Sequence, residues 1–220
     1  IADTIFCPLM PRKPAHEQFD TLKVINDQAF VLFGRHGYEG VSIGDIAKAA
    51  GLSKGALYWH FSGKAELYLG CLQRLHGLFQ RHIFEPMAAA EDPVAGVMFL
   101  FRGMEQIVRD PELENGIGGY WLIPESAETE PMLQAQHDFE TRSAAVIQQV
   151  LRRGVDQQRF DLAGDIEDMS RAIIALLEAV VLPLRHKSAE EVHRLMAVLA
   201  RTLFRAYAKD EALIRLARSF

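Results

Sequence analysis

The residues best placed to do chemistry lie between Ser42 and Lys64, and their types suit the docking of a polyanion, not bond-making. Ser53 is a helix-capping residue followed by Lys54 and Gly55. A glycine at that point lets the backbone approach a phosphate or a base edge, and free amides at a helix start favour negative charge. Tyr58 and His60 add polar tips that can donate to phosphate oxygens, and Lys64 adds a further cation. Trp59 carries an indole that donates one hydrogen bond and accepts none. Between Asp45 and Glu66 there is no acidic residue, but there are Lys48, Lys54, His60 and Lys64. Lys54, Tyr58 and Lys64 are assigned to phosphate, and Gly55 and Trp59 to discrimination between sequences.

Short helices must position these side chains. Ser42 precedes an apolar-periodic run with Asp45 three residues on, an N-cap with an acidic partner. Ile46, Ala47 and Ala50 mark the buried side of a helix ending near Ala50, and Gly51 suits the left-handed exit. Ser53 opens a second helix carrying Ala56, Leu57, Trp59 and Phe61, closed by Ser62 and Gly63. Helix, glycine turn and helix at this spacing is a helix-turn-helix, whose second helix can enter the DNA major groove. Residues 15–35 read as a supporting helix, with Phe19, Leu22, Ile25, Ala29 and Phe33 recurring every three or four positions. A longer helix is expected from Lys64, capped by Ser62, to about Glu85, where Pro86 stops it. It would join the front of the molecule mechanically to the rear.

The run Gly37-Tyr38, Ser42-Ile43-x-x-Ile46-Ala47, Ala50-Gly51-Leu52-Ser53-Lys54-Gly55-Ala56-Leu57-Tyr58-Trp59-His60-Phe61 and Lys64-x-x-Leu67 resembles the DNA-binding domain of the tetracycline-repressor (TetR) family. The likeness covers about the first third of the chain. Trp59 departs from it, since the family more often has a second tyrosine there. The resemblance implies a rear unit with a ligand pocket, and a homodimer formed by the last two long helices as a four-helix bundle. It implies binding of a double-stranded DNA operator, with the recognition helices of the two protomers in successive major grooves.

The rear sequence fits an all-α fold: an arm at 1–14, a helix-turn-helix three-helix domain at 15–63, and a helical ligand-binding and dimerisation domain at 64–220. Asp92-Pro93 starts a helix that Asp110-Pro111 ends, apolar on more than one side through Val97, Phe99, Leu100, Phe101 and Met104. Residues 112–127 are a glycine-bearing connector that places Tyr120 and Trp121. Further helices are expected at 131–154, 165–184 and 188–208, the last opened by a Ser188/Glu191 capping box. From Ala172 the helix is apolar all round, which requires burial on two sides and points to a partner subunit. Residues 209–220 form a charged tail. The candidate pocket residues are Phe79, Phe99, Phe101, Glu105, Tyr120, Trp121, Phe139 and Glu178, and each aromatic also has a core reading. Glu178, in the run ALLEAVVL, must find a partner, reach water or hold its proton. The expected effector is a small apolar or aromatic molecule.

Composition narrows the field. Net charge is −5. Residues 1–85 carry 9 Lys and Arg against 8 Asp and Glu, and residues 86–220 carry 15 against 21, so DNA binding must rest on a local patch. Two cysteines, Cys7 and Cys71, suit a reducing cytoplasm. No apolar run reaches the ~20 residues of a membrane span, and no secretory leader is expected. Arg12 and Lys13 in the arm could reach a minor groove. His76, His82 and Glu85 do not share one helix face, and no metal or cofactor is expected. Glu190-x-x-His193 is half of a di-iron signature without its second half, Gln134-Ala-Gln-His137 coming closest; this metalloenzyme alternative is set aside. The expected function is a ligand-responsive transcriptional repressor released from a near-palindromic operator by its effector, and a transcriptional activator on the same fold is the other alternative.

Overall fold

The computed structural model describes residues 15–113, 116–162, 164–181 and 188–207. The arm with Arg12 and Lys13, Leu184, and the tail at 209–220 lie outside these. The described chain is helical: α1 (Ala15–His36), α2 (Ile43–Ala49), α3 (Lys54–Tyr58), α4 (Lys64–Phe79), α5 (Glu85–Ala89), α6 (Pro93–Arg109), α7 (Glu130–Asp156), α8 (Ile166–Val181) and α9 (Ala189–Tyr207).

The front unit is small, and its core comes from every element in it. Ile25, Ala29 and Phe33 of α1, Ile46 of α2, Leu57 of α3 and Leu67 of α4 are all fully or almost fully buried. Burial of the isoleucine, leucine and phenylalanine side chains among these contributes about 1.5–3 kcal/mol each. The capping box at Ser42 is complete: its backbone N–H donates to Asp45 Oδ2 at 2.9 Å, and Asp45 N–H donates to Ser42 Oγ at 3.2 Å. Gly51 exits α2 at φ +69°, where a Cβ would be strained. Ser53 caps α3 by accepting from Ala56 N–H at 3.2 Å. Ser62 behaves differently from expectation. It donates both its N–H and its hydroxyl to Glu66 at 2.6 and 2.7 Å and accepts nothing from the start of α4.

Pro86 does not end the helical path. The segment Gln80–Phe84 widens into a π turn, in which Glu85 N–H bonds the Gln80 carbonyl, and α5 carries on to Ala89. Proline has no N–H and crowds the carbonyl four residues back, that of His82. The wider turn ahead of Pro86 accommodates both problems. The His82 carbonyl then meets Gly103 of α6, where a Cβ would stand 2.4 Å from it.

In the rear unit α6 is the central helix. Asp92 caps it, Pro93 occupies its first turn, and Val94, Val97, Met98, Leu100, Phe101, Met104 and Ile107 are buried. Helices α5, α7 and α9 pack around it, and α8 packs on α7. Asp165 caps α8 through Glu167 N–H at 2.7 Å, and the Ser188/Glu191 capping box opens α9 at 2.8 and 3.2 Å. Helix α4 serves both units. Leu67, Tyr68 and Cys71 close the front core, and Leu75, Leu78 and Phe79 continue into the rear.

Candidate nucleic-acid interface and ligand cavity

The front unit presents α3 outward. Only Leu57 is buried within this helix, which leaves Lys54, Gly55 and Tyr58 facing solvent. Trp59, at the C-cap, is 88% exposed, and Tyr58 is 58% exposed. Among the described residues no contact explains an indole held in water, nor the glycine at 55, where a Cβ would meet nothing closer than Ser53 Oγ at 3.8 Å. An open groove runs between the starts of α2, α3 and α4, lined by Ser42, Lys54, Tyr58 and Lys64 and also by Glu39 and Asp45. Asp45 is occupied: hydrogen bonds from Ser42 hold its carboxyl below the usual range, so it stays ionised as a cap. Lys54 lies across Gly44, its Nζ 3.1 Å from where a Cβ of that glycine would be. Lys64 donates to the Tyr38 carbonyl at 3.2 Å and sits 3.9 Å from that ring's centroid. That anchorage fixes the ammonium while leaving further N–H donors for an anion. His60 is half-buried beside this surface, and Ser53 is exposed on it. All eight residues singled out from the sequence thus fall on the α2–α3–α4 edge.

Behind the front unit lies a cavity of about 490 Å³ of empty space, its open mouth included. Five of the sequence candidates line it: Phe79, Tyr120, Trp121, Phe139 and Glu178. The rings meet edge to face, Phe79 with Trp121 and with Phe139 at 6.3 Å, and Phe84 with Phe139 at 5.8 Å. His76 stacks flat on Phe139 at 4.2 Å. Burial pushes the His76 pKa down, so the ring is neutral at pH 7. It pairs with Gln136 Oε1 at 2.9 Å, and Gln136 Nε2 donates to Glu140 at 2.8 Å. Trp121 Nε1 donates to Glu178 at 3.3 Å. Burial, helped by the nearby Glu140 charge, raises the Glu178 pKa although the indole bond opposes it.

Phe99, Phe101 and Glu105 stand elsewhere. Phe101 faces a separate apolar gap with Ile173, Leu176 and Met196. Glu105 is bound to His193 Nδ1 at 2.7 Å, and Phe99 is half-buried against the core. The reason is that α6 is central, so its aromatic side chains point in several directions. The lining residues the sequence reading missed include Gln136, Glu140 and Ser143 on α7. A signal existed: Met132, Gln136, Phe139, Ser143, Ile147 and Val150 share one helical stripe, and polar residues on an apolar stripe need a reason.

The residue next to Trp121 is bolted to α1. Tyr120 donates its hydroxyl to the Phe30 carbonyl at 3.0 Å, and Tyr68 donates to the Tyr120 carbonyl at 3.3 Å. Gly119 lies so close to α1 that a Cβ would be 2.2 Å from the Phe33 carbonyl oxygen. Arg74 of α4 adds ion pairs to Asp27 and Glu112, both at 2.7 Å, beneath the Phe30 ring. Glu190 and His193 do not converge, since Glu190 pairs with Arg194 at 3.0 Å. Among the described residues no cluster of three His, Cys, Asp or Glu is placed to hold a metal, and no helix is long and apolar enough to cross a membrane. Cys71 is buried, which pushes its thiol up to about 12 and leaves it unreactive.

Residues 25–71 match the family model described as bacterial regulatory proteins, tetR family. The chain is 46% identical over 59 residues to the HTH-type transcriptional regulator AcrR of Shigella flexneri, a match covering 27% of each. It is 26% identical over 166 residues to the HTH-type transcriptional regulator LmrA of Bacillus subtilis, covering 74% of this chain and 85% of that one. The shape matches SmeT, the repressor of the Stenotrophomonas maltophilia multidrug efflux pump SmeDEF, solved with triclosan. For that complex the TM-score is 0.62 at 20% identity, covering 87% of this chain and 93% of that one, a likeness of fold.

Proposed function

The chain belongs to the tetR family of bacterial regulatory proteins, transcription regulators and not enzymes, and on that premise we propose that it is a ligand-released repressor. It binds a near-palindromic operator as a homodimer, each protomer laying α3 in the major groove. The observation that carries this reading is the outward face of α3, where Lys54, Tyr58 and Trp59 stand exposed side by side. Repression is supported by likeness of fold to a protein described as a repressor.

Dimerisation is supported by what α8 and α9 leave open. Leu176 is 42% exposed and Val198 53%, with Leu195 close behind, and Ala172, Ala175 and Ala179 of α8 face solvent too. A second copy would cover this apolar face and set the distance between two recognition helices. The effector, an apolar or aromatic small molecule, sits in the cavity against Trp121. To enter, it must part α4, α7 and α8. Gly119 and Tyr120, clamped to α1, carry that displacement to the front unit. A ligand that favours the displaced arrangement by ~1–3 kcal/mol makes a useful switch.

The test is to select bound fragments from random DNA and titrate the winner at two salt concentrations. Tight binding that weakens with salt, with two half-sites about one turn apart, is expected. Selection that enriches no sequence would refute the proposal.

A further inference from the structure

The charged side chains described around the cavity share one sign. Glu140 and Glu178 approach it from α7 and α8, and among the described residues no lysine or arginine lines it. Each carboxylate has one neutral donor, Gln136 for Glu140 and Trp121 for Glu178, and each keeps acceptor capacity in hand. The charge that acts on Glu178 is that of Glu140, so the pair repel across the cavity. Arg142 on α7 is felt at His76 but does not line the space. Trp121, Phe79 and Phe139 line the same cavity, Phe79 meeting each of the other two rings edge to face at 6.3 Å. Independently of these acids, the Ser143 hydroxyl lines the same cavity at 1% exposure and makes no hydrogen bond within the described residues. A buried hydroxyl without a partner is unfavourable unless something entering the cavity satisfies it.

We infer that the effector is a lipophilic organic monocation, an aromatic or alkyl body bearing one ammonium-type charge, held between Glu178 and Glu140 with its apolar part against Trp121 and Phe139. This rests on the cavity being the effector site. A single positive charge relieves the repulsion between the acids, and the rings attract a desolvated cation through their faces. A neutral ligand of the same shape would leave the repulsion between the two acids in place. An anion would add to that repulsion.

The probes are phenyltrimethylammonium and its uncharged isostere tert-butylbenzene, titrated against the full chain. Trp59→Phe serves as a fluorescence background in which Trp121 is the only indole, since the chain has two tryptophans. The cation is expected to bind at least about ten times more tightly than the isostere. Glu178→Gln, checked for folding by thermal melting, should lower cation affinity by about tenfold and move the isostere less than about twofold. Equal binding of the two probes, binding of neither, or a cation affinity untouched by Glu178→Gln overturns the inference. Operator anisotropy with the same probes, on the chain that keeps Trp59, separates the two levels. Both probes releasing DNA equally overturns the charge requirement and leaves the effector site standing. A bound, Glu178-dependent cation that never affects DNA supports the cation site and refutes its role as the effector site.

Discussion

Gly119→Ala is the sharpest structural perturbation available, because every atom a new methyl would strike belongs to the backbone. The Cβ would sit 2.2 Å from the Phe33 oxygen, 2.6 Å from Gly37 nitrogen and 2.9 Å from the Gly34 oxygen. Two of these atoms, Gly37 N–H and the Phe33 carbonyl, form the hydrogen bond of 2.9 Å that closes α1. Ordinary contact begins near 3.4 Å, so α1 and the 118–121 turn must separate by roughly an ångström. Overpacking of this kind costs about 1–3 kcal/mol. The Tyr120–Phe30 bond is stretched by the same movement, at about 1 kcal/mol more. The sum, about 2–4 kcal/mol, lowers the melting temperature by ~5–15 °C for a chain of this size. Gly70→Ala is the control, since that helical glycine has nothing within 4 Å of its Cβ and should gain ~0.5–1 kcal/mol. Both are measured by circular-dichroism melting at one protomer concentration. If Gly119→Ala melts within 2 °C of the parent (a margin of roughly 1 kcal/mol), the close clamp between α1 and the connector is not real.

Charging the open face with Leu176→Asp and Val198→Asp should yield monomers in sedimentation and cost on the order of a hundredfold or more in operator affinity, since avidity between half-sites is lost; a dimer that persists would place the interface elsewhere. His76 gives a pH signature. Its pKa in the folded chain lies below the unfolded 6.5, so the unfolded state binds the extra proton. Stability is therefore full above about pH 6.5 and falls as pH drops below that value. His76→Gln should flatten the fall in melting temperature between pH 7 and 5; an unchanged slope would mean the ring is not buried in solution.

Local rules made the front unit legible. The Ser42/Asp45 box, the Gly51 exit and the Ser53 cap each depend on residues three or four apart, as do the Asp92-Pro93 and Ser188/Glu191 starts in the rear. Pro86 misled because its effect is relieved by a π turn that packs against Gly103, a partner far along the chain. The cavity was half legible for a similar reason. Phe79, Tyr120, Trp121, Phe139 and Glu178 meet there, whereas Phe99, Phe101 and Glu105 project from a helix buried on several sides, where residue type gives no direction. Ser143 and Gln136 carried a signal in their periodicity with Met132 and Phe139 that size and aromaticity obscured.

The outward face of α3 is tested most directly by anisotropy titration of a selected operator with Lys54→Ala, Tyr58→Phe and Trp59→Ala across a salt series. Loss of Lys54 should weaken all sequences about equally and reduce the salt slope by about one per protomer. Loss of Trp59 should narrow the gap between the selected and a scrambled duplex. Unchanged affinity, slope and discrimination in folded variants would contradict the assignment of this face to DNA.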